Sequence, residues 1–129
     1  MRVWVVVGMM SLAGCGDPMI GKAKEAVAAR MKDPVSAKFT DVRKCKSGDY
    51  VTGKVNAKNS FGAYAGAEQF ISNGYVVHTA SEIQTFEDAA NVPLGDRLMP
   101  QLLRYCDGEG PEIDDVTYMA DLADKLDQD

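Results

Sequence analysis

The chain is poor in the residues that usually carry chemistry: one histidine, one tryptophan and three cysteines in 129 residues, with aromatics at 8 %. A hydrolytic triad would need His78 as its base beside a nucleophile. No nucleophile-elbow pattern accompanies it, so an ordinary strand or edge position is the expected place for this side chain. With one histidine and no second ligand pair at zinc spacing, neither a metal nor another cofactor is expected. Gly62 and Gly66 fall in no strand-to-helix phosphate-binding pattern, which argues against nucleotide binding. The chain contains no internal repeat, no low-complexity stretch and no linker that would divide a domain. Its apolar run at Val3–Met10 is too short to span a bilayer as a helix.

That short run is nevertheless informative. It follows Arg2 and ends close to Leu12-Ala13-Gly14-Cys15, the layout of a secretory signal peptide. Leu12-Ala13-Gly14-Cys15 resembles the lipobox of bacterial lipoproteins. The resemblance implies that residues 1–14 are cleaved and that Cys15 becomes the lipidated first residue of a single domain over residues 15–129. It also implies a diacylglyceryl group and an amide-linked acyl chain on Cys15. Each buried methylene contributes about 0.8 kcal/mol, and one chain alone anchors only marginally, so several chains on one residue hold a domain firmly. In enterobacteria an aspartate directly after the lipidated cysteine favours inner-membrane retention. Gly16 stands there instead, so the periplasmic face of the outer membrane is the expected location in a Gram-negative host.

Export also bears on the remaining cysteines. Cys45 and Cys106 form an even pair in a disulfide-permitting compartment. A bond between them would close a loop of about 60 residues and stabilise the fold by roughly 4 kcal/mol in the chain-entropy model. Two buried free thiols or a metal pair are the alternatives. The net charge is −5 but unevenly spread: residues 22–58 hold ten Lys/Arg against four acids, and residues 59–129 hold three against fourteen. The two halves can attract each other within the fold, or the basic half can face anionic lipid or another polyanion. Export and the negative total disfavour nucleic acid.

Periodicity gives an α+β fold class. Asp17-Pro18 is a cap followed by a first-turn proline, and Ile20, Ala23, Val27 and Met31 recur at helical spacing, which predicts a helix over 18–32. Asp33-Pro34 ends it and can start one further turn through Ser36. From Phe39 the pattern has period two, with Phe39, Asp41, Arg43 and Cys45 expected on one side. Tyr50–Ala57 alternates more cleanly, Val51, Val55 and Ala57 sharing a face, and Gly53 marks a bulge or a close backbone approach. Asn73-Gly74 between Glu68–Ser72 and Tyr75–Ala80 predicts a type I′ hairpin. The expectation is a four-stranded antiparallel meander with one face under the N-terminal helix, followed by two C-terminal helices. Residues 81–92 read as loop or a short helical turn. Pro100 means that the next helix starts near Met99 or kinks there, and Glu112–Leu126 is expected as a helix with Val116, Met119, Ala120, Ala123 and Leu126 in one stripe.

Paired carboxylates such as Glu82, Glu87 and Asp88 read as a solvated face. Asp107, Glu109, Glu112 and Asp114 are dense but match no EF-hand spacing. The loop Lys58–Gly66 stands apart, because Phe61 and Tyr64 sit among glycines and alanines too small to cover them. They either fold back over the sheet or form a contact patch with Lys58 and Asn59, aromatics being favoured interface anchors.

Two segments resemble, in order, elements of small exported or phage-associated bacterial proteins: Lys32-Asp33-Pro34-Val35-Ser36-Ala37-Lys38-Phe39-Thr40-Asp41-Val42, and Gly53-Lys54-Val55-Asn56-Ala57-Lys58-Asn59-Ser60-Phe61-Gly62-Ala63-Tyr64. The resemblance covers residues 20–75 and implies a shared fold unit without a mechanism. Thr52 stands where the second element usually has cysteine. Ser47-Gly48-Asp49-Tyr50 resembles the S-G-x-x-Y loop of periplasmic lysozyme inhibitors, one residue short and without their second motif. Together these features predict a lipid-anchored, non-catalytic envelope module that binds an envelope protein or a cell-wall enzyme. The alternative is a small inhibitor or phage-exclusion lipoprotein, cellular or prophage-borne, and a hydrolase comes last.

Overall fold

A computed structural model describes residues 16–128; the lipobox and Cys15 lie outside them. The fold is α+β: an N-terminal helix, a four-stranded antiparallel sheet in the order β1-β2-β3-β4, and C-terminal helices. Helix α1 spans Pro18–Arg30, with Asp17 accepting from the Met19 N–H at 2.9 Å and Pro18 in the first turn. Lys44 at the end of β1 (Lys38–Lys44) reaches back to Asp17 at 3.1 Å. The Met19 N–H and the Lys44 ammonium hold the Asp17 carboxyl below the usual carboxylate range. A short turn of 3-10 helix at Pro34–Ser36 then leads into β1.

Strand β2 (Val51–Asn56) pairs with β1 on one side and with β3 (Glu68–Ser72) on the other, and β4 (Val77–Thr79) completes the meander. Both faces of this sheet are covered, where one covered face was expected. Ala23 and Val27 of α1 pack with Val51, Val55 and Phe70, while Ile71 on the opposite face packs with Ile83, Leu98, Leu102 and the two cysteines. The simple alternation expected for β1 is broken by a bulge between Thr40 and Arg43. Asp41 takes a positive φ of 53° there, and the extra residue turns Val42 onto the same side as Phe39, against α1. Gly53 lies opposite the bulge: an added Cβ would sit 3.0 Å from the Val42 Cα and 3.2 Å from the Phe70 ring. The glycine signal was therefore legible, whereas the side-switch it permits was not.

The Asn73-Gly74 hairpin forms with a longer loop than a type I′ turn. Ser72 pairs with Val77, leaving Asn73–Val76 as four loop residues. Gly74 alone of the two takes positive φ, and the Asn73 Oδ1 accepts from the Tyr75 and Val76 N–H groups.

Helix α2 (Ala80–Ala89) occupies the segment left open between loop and turn. Its buried positions are Ile83 and Glu87, so a carboxylate takes the place where periodicity would show an apolar residue. Helix α3 (Leu98–Cys106) holds Pro100 in its first turn, where the missing N–H has no intrahelical partner to lose. Helix α4 (Asp115–Asp127) is capped by Asp114, which accepts from the Thr117 N–H at 3.0 Å. Its inward face runs through Asp115, Tyr118, Met119 and Leu122, while Val116, Ala120 and Ala123 are exposed. The expected stripe is thus turned, because polar contacts draw Asp115 and Tyr118 inward. Among the described residues no helix is long and apolar enough to cross a membrane.

Gly53→Ala should cost about 1–3 kcal/mol, the range for forcing extra volume into a packed site. Urea unfolding checks this: the midpoint should fall while the slope stays unchanged.

Candidate functional site

The loop joining β2 to β3 lies at the end of the sheet where Lys38 pairs with Asn56. Asp17 and Lys44 mark the opposite end, roughly 20 Å away at about 3.3 Å per strand residue. Side chains fix the course of the loop. The Asn59 Oδ1 accepts from the Phe61 and Ala63 N–H groups at 2.9 and 3.2 Å, and the Asn59 N–H donates to the Ala63 carbonyl at 2.8 Å. Gly62, at φ 77°, supplies the left-handed residue that this tight return requires. Lys58 and Tyr64 meet as an antiparallel bridge, and the Asn56 Oδ1 accepts from the Gly66 N–H.

The two aromatics divide the alternatives between them. Tyr64 folds back: its hydroxyl donates to the Ser36 carbonyl at 3.2 Å, and Lys38 Nζ lies 4.5 Å from its ring centroid. Phe61 points into solvent with 93 % of its surface exposed. Lys58 also donates its N–H to the Ser36 Oγ, which ties the loop to the turn carrying Val35, itself 97 % exposed. Val35 had no signal in the sequence, where Asp33-Pro34 reads as a turn without saying which side chain it leaves bare. The result is a pre-ordered loop presenting one large apolar side chain, with a second on the adjoining turn and Lys38 and Lys58 against the Tyr64 ring. Such a tip suits insertion into a partner's pocket, since little conformational freedom is left to lose on binding.

His78 lies in the edge strand β4, as expected, and its side chain is buried, with Nε2 2.7 Å from Asp115 Oδ2, so the ring N–H donates to the carboxylate at the start of α4. The Tyr50 hydroxyl stands near the same carboxylate, and burial together with that charge pushes its pKa up to about 12. A depression of about 470 Å³ opens between Tyr50, Glu112, Ile113, Asp114 and Asp115, and His78 is not among the residues lining it. In this arrangement the imidazole cross-links a strand to a helix. Glu87 performs a parallel task, its Oε1 accepting from the Leu98 N–H at 2.7 Å and from the Tyr118 hydroxyl at 2.6 Å. Burial and that carboxylate raise the Tyr118 phenol as well.

Cys45 and Cys106 are bonded, their Cα atoms 4.5 Å apart, which joins the end of β1 to the end of α3. The bond lies in the core cluster on the helical side of the sheet. Thr52, at the position where the resembling element has cysteine, is buried, and its hydroxyl donates to the Phe70 carbonyl at 2.8 Å. Ser47–Tyr50 forms a turn packed under Tyr105, with Tyr50 directed into the core cluster rather than outward. Of the dense acids, Asp107 pairs with Arg43 and Asp114 caps α4. Among the described residues no group of three or more His, Cys, Asp or Glu is placed to hold a metal ion. No protein-family model, curated protein or solved structure matches the chain.

The tyrosines should separate in an alkaline titration followed by ultraviolet absorbance. Tyr75, beside Lys22, ionises below the ordinary value of 10, and Tyr50 only near 12. A phenol raised on folding binds its proton more tightly in the folded state. The stability Tyr50 contributes is thus intact below pH 10 and lost as pH climbs toward 12. Tyr75→Phe should remove the earliest component, and Tyr50→Phe and Tyr118→Phe the late ones; a single shared transition would contradict the assignment.

Proposed function

We propose that this chain is a lipid-anchored cell-envelope protein that works by binding another macromolecule through the Lys58–Tyr64 loop, without catalysis. The lipobox resemblance at Cys15 supports the anchor. One observation supports the contact surface: Phe61 is 93 % exposed on a loop whose backbone is held by its own hydrogen bonds. Folding gains little by leaving a phenylalanine in water, whereas binding gains by burying it. The loop sits at the end of the sheet away from Asp17, so the anchor would hold the domain at one end and leave the Phe61 end free for an envelope protein or a cell-wall enzyme.

An inhibitor of a basic enzyme is the second reading. It draws on the acids Asp121, Asp124 and Asp127 along α4, of which Asp121 and Asp124 are exposed with Asp127 at its end. In that case the acidic helix, not the Phe61 loop, makes the contact.

A photo-crosslinking amino acid at position 61, in the anchored protein in living cells, should yield one discrete adduct. The same group at Leu94, also exposed at 80 %, should yield none. With the partner in hand, Phe61→Ala should weaken binding by about 2 kcal/mol or more, some thirtyfold, and leave thermal stability unchanged. Absence of an adduct at 61, or the same adduct from 94, would remove the loop as the contact surface.

A further inference from the structure

The sheet separates the charges of this domain. On one face lies α1, with Lys22, Lys24 and Arg30 inside it, Lys32 just after it, and Glu25 as its single acid. On the other lie α2 and α4, which carry seven of the fourteen acids of residues 59–129, Glu87 and Asp115 of them buried. Helix propensity does not require the partition. Nor is it fully used up by internal pairing: Arg30 reaches Glu82 across the fold, while Lys22 and Lys24 turn to aromatic rings.

Those two lysines flank α1. Lys22 Nζ lies 3.5 Å from the ring centroid of Tyr75, and Lys24 Nζ lies 5.7 Å from that of Phe39. Between them Gly21, Glu25 and Ala29 lie exposed along the outer side of the helix, Glu25 being the one acid there against the flanking lysines. Tyr75 is 81 % exposed on the β3–β4 loop, which sits at the Asp17 end of the sheet because Ser72 pairs with Val51 and Val51 with Lys44. Tyrosine is enriched at membrane–water boundaries, where its ring sits at the level of the headgroups. Residue 15 is two positions before the helix cap.

From these observations we infer that the outer side of α1, with Lys22, Lys24, Lys32 and Tyr75, lies on an anionic lipid leaflet as a second membrane contact beside the lipid. The inference rests on the anchored reading proposed above. Lipid chains supply attachment and basic side chains supply orientation, a two-signal arrangement in which each lysine near an anionic surface strengthens binding about fivefold. The acidic helices would then face away from the leaflet, repelled by the same charge that attracts α1. Phe61 would project sideways from the far end.

The test uses the lipid-carrying protein extracted from membranes and reconstituted into vesicles of phosphatidylcholine alone or with one third phosphatidylglycerol. A water-soluble amine reagent labels exposed lysines, and mass spectrometry reads the rate at each site. On the anionic vesicles Lys22, Lys24 and Lys32 should label about fivefold more slowly than on the neutral ones, and half-molar salt should abolish the difference. Lys58 and Lys125 should label equally on both. Equal rates at Lys22, Lys24 and Lys32 in protein that floats with both vesicles would overturn the proposed surface and leave the anchor standing. Protection of Lys58 instead would place the Phe61 end on the lipid and overturn the orientation. Protein that floats with neither vesicle would overturn the anchor and this inference together.

Discussion

The pairing of β2 with β3 is the constraint on which the rest of the domain depends. Val51, Val55 and Phe70 face α1, while Ile71 faces the C-terminal helices. These side chains are essentially inaccessible to solvent, so both layers are held by the same two strands. The edge strands differ: β1 is charged and bulged, and β4 is three residues long. Both are devices that discourage pairing with another chain.

The helical layer is located by polar ties as much as by apolar packing. The Cys45–Cys106 bond joins β1 to α3, His78–Asp115 joins β4 to α4, and Glu87 joins α2 to both α3 and α4. An apolar surface can slide at low cost, but a buried carboxylate left without its donors is expensive. These ties therefore fix one arrangement of three short helices against the sheet that would otherwise have several.

Legibility of the sequence followed the chemistry of each segment. The cap and proline at Asp17-Pro18 and the apolar spacing of Ala23 and Val27 determined α1 locally, Gly53 announced a close backbone approach, and Asn73-Gly74 announced the hairpin. What stayed hidden depended on tertiary contacts. Helix α2 was obscured because Glu87 fills a core position, and the face of α4 was misjudged because Asp115 and Tyr118 are drawn in by His78 and Glu87. The candidate loop was legible as a set of residues, Lys58, Asn59, Phe61 and Tyr64. Its division into a Tyr64 tied back along the surface and an outward Phe61 was not, because that division depends on Ser36, more than twenty residues upstream.

The functional account joins a rigid apolar tip to an attachment at the other end of the sheet. Its central claim is the attachment, and the most direct measurement is the mass of the N-terminal peptide of protein extracted from membranes. The account predicts a peptide that begins at Cys15 and carries the added mass of a diacylglyceryl group and an acyl chain. An unmodified Cys15, or a peptide that still contains Val3–Met10, would contradict it.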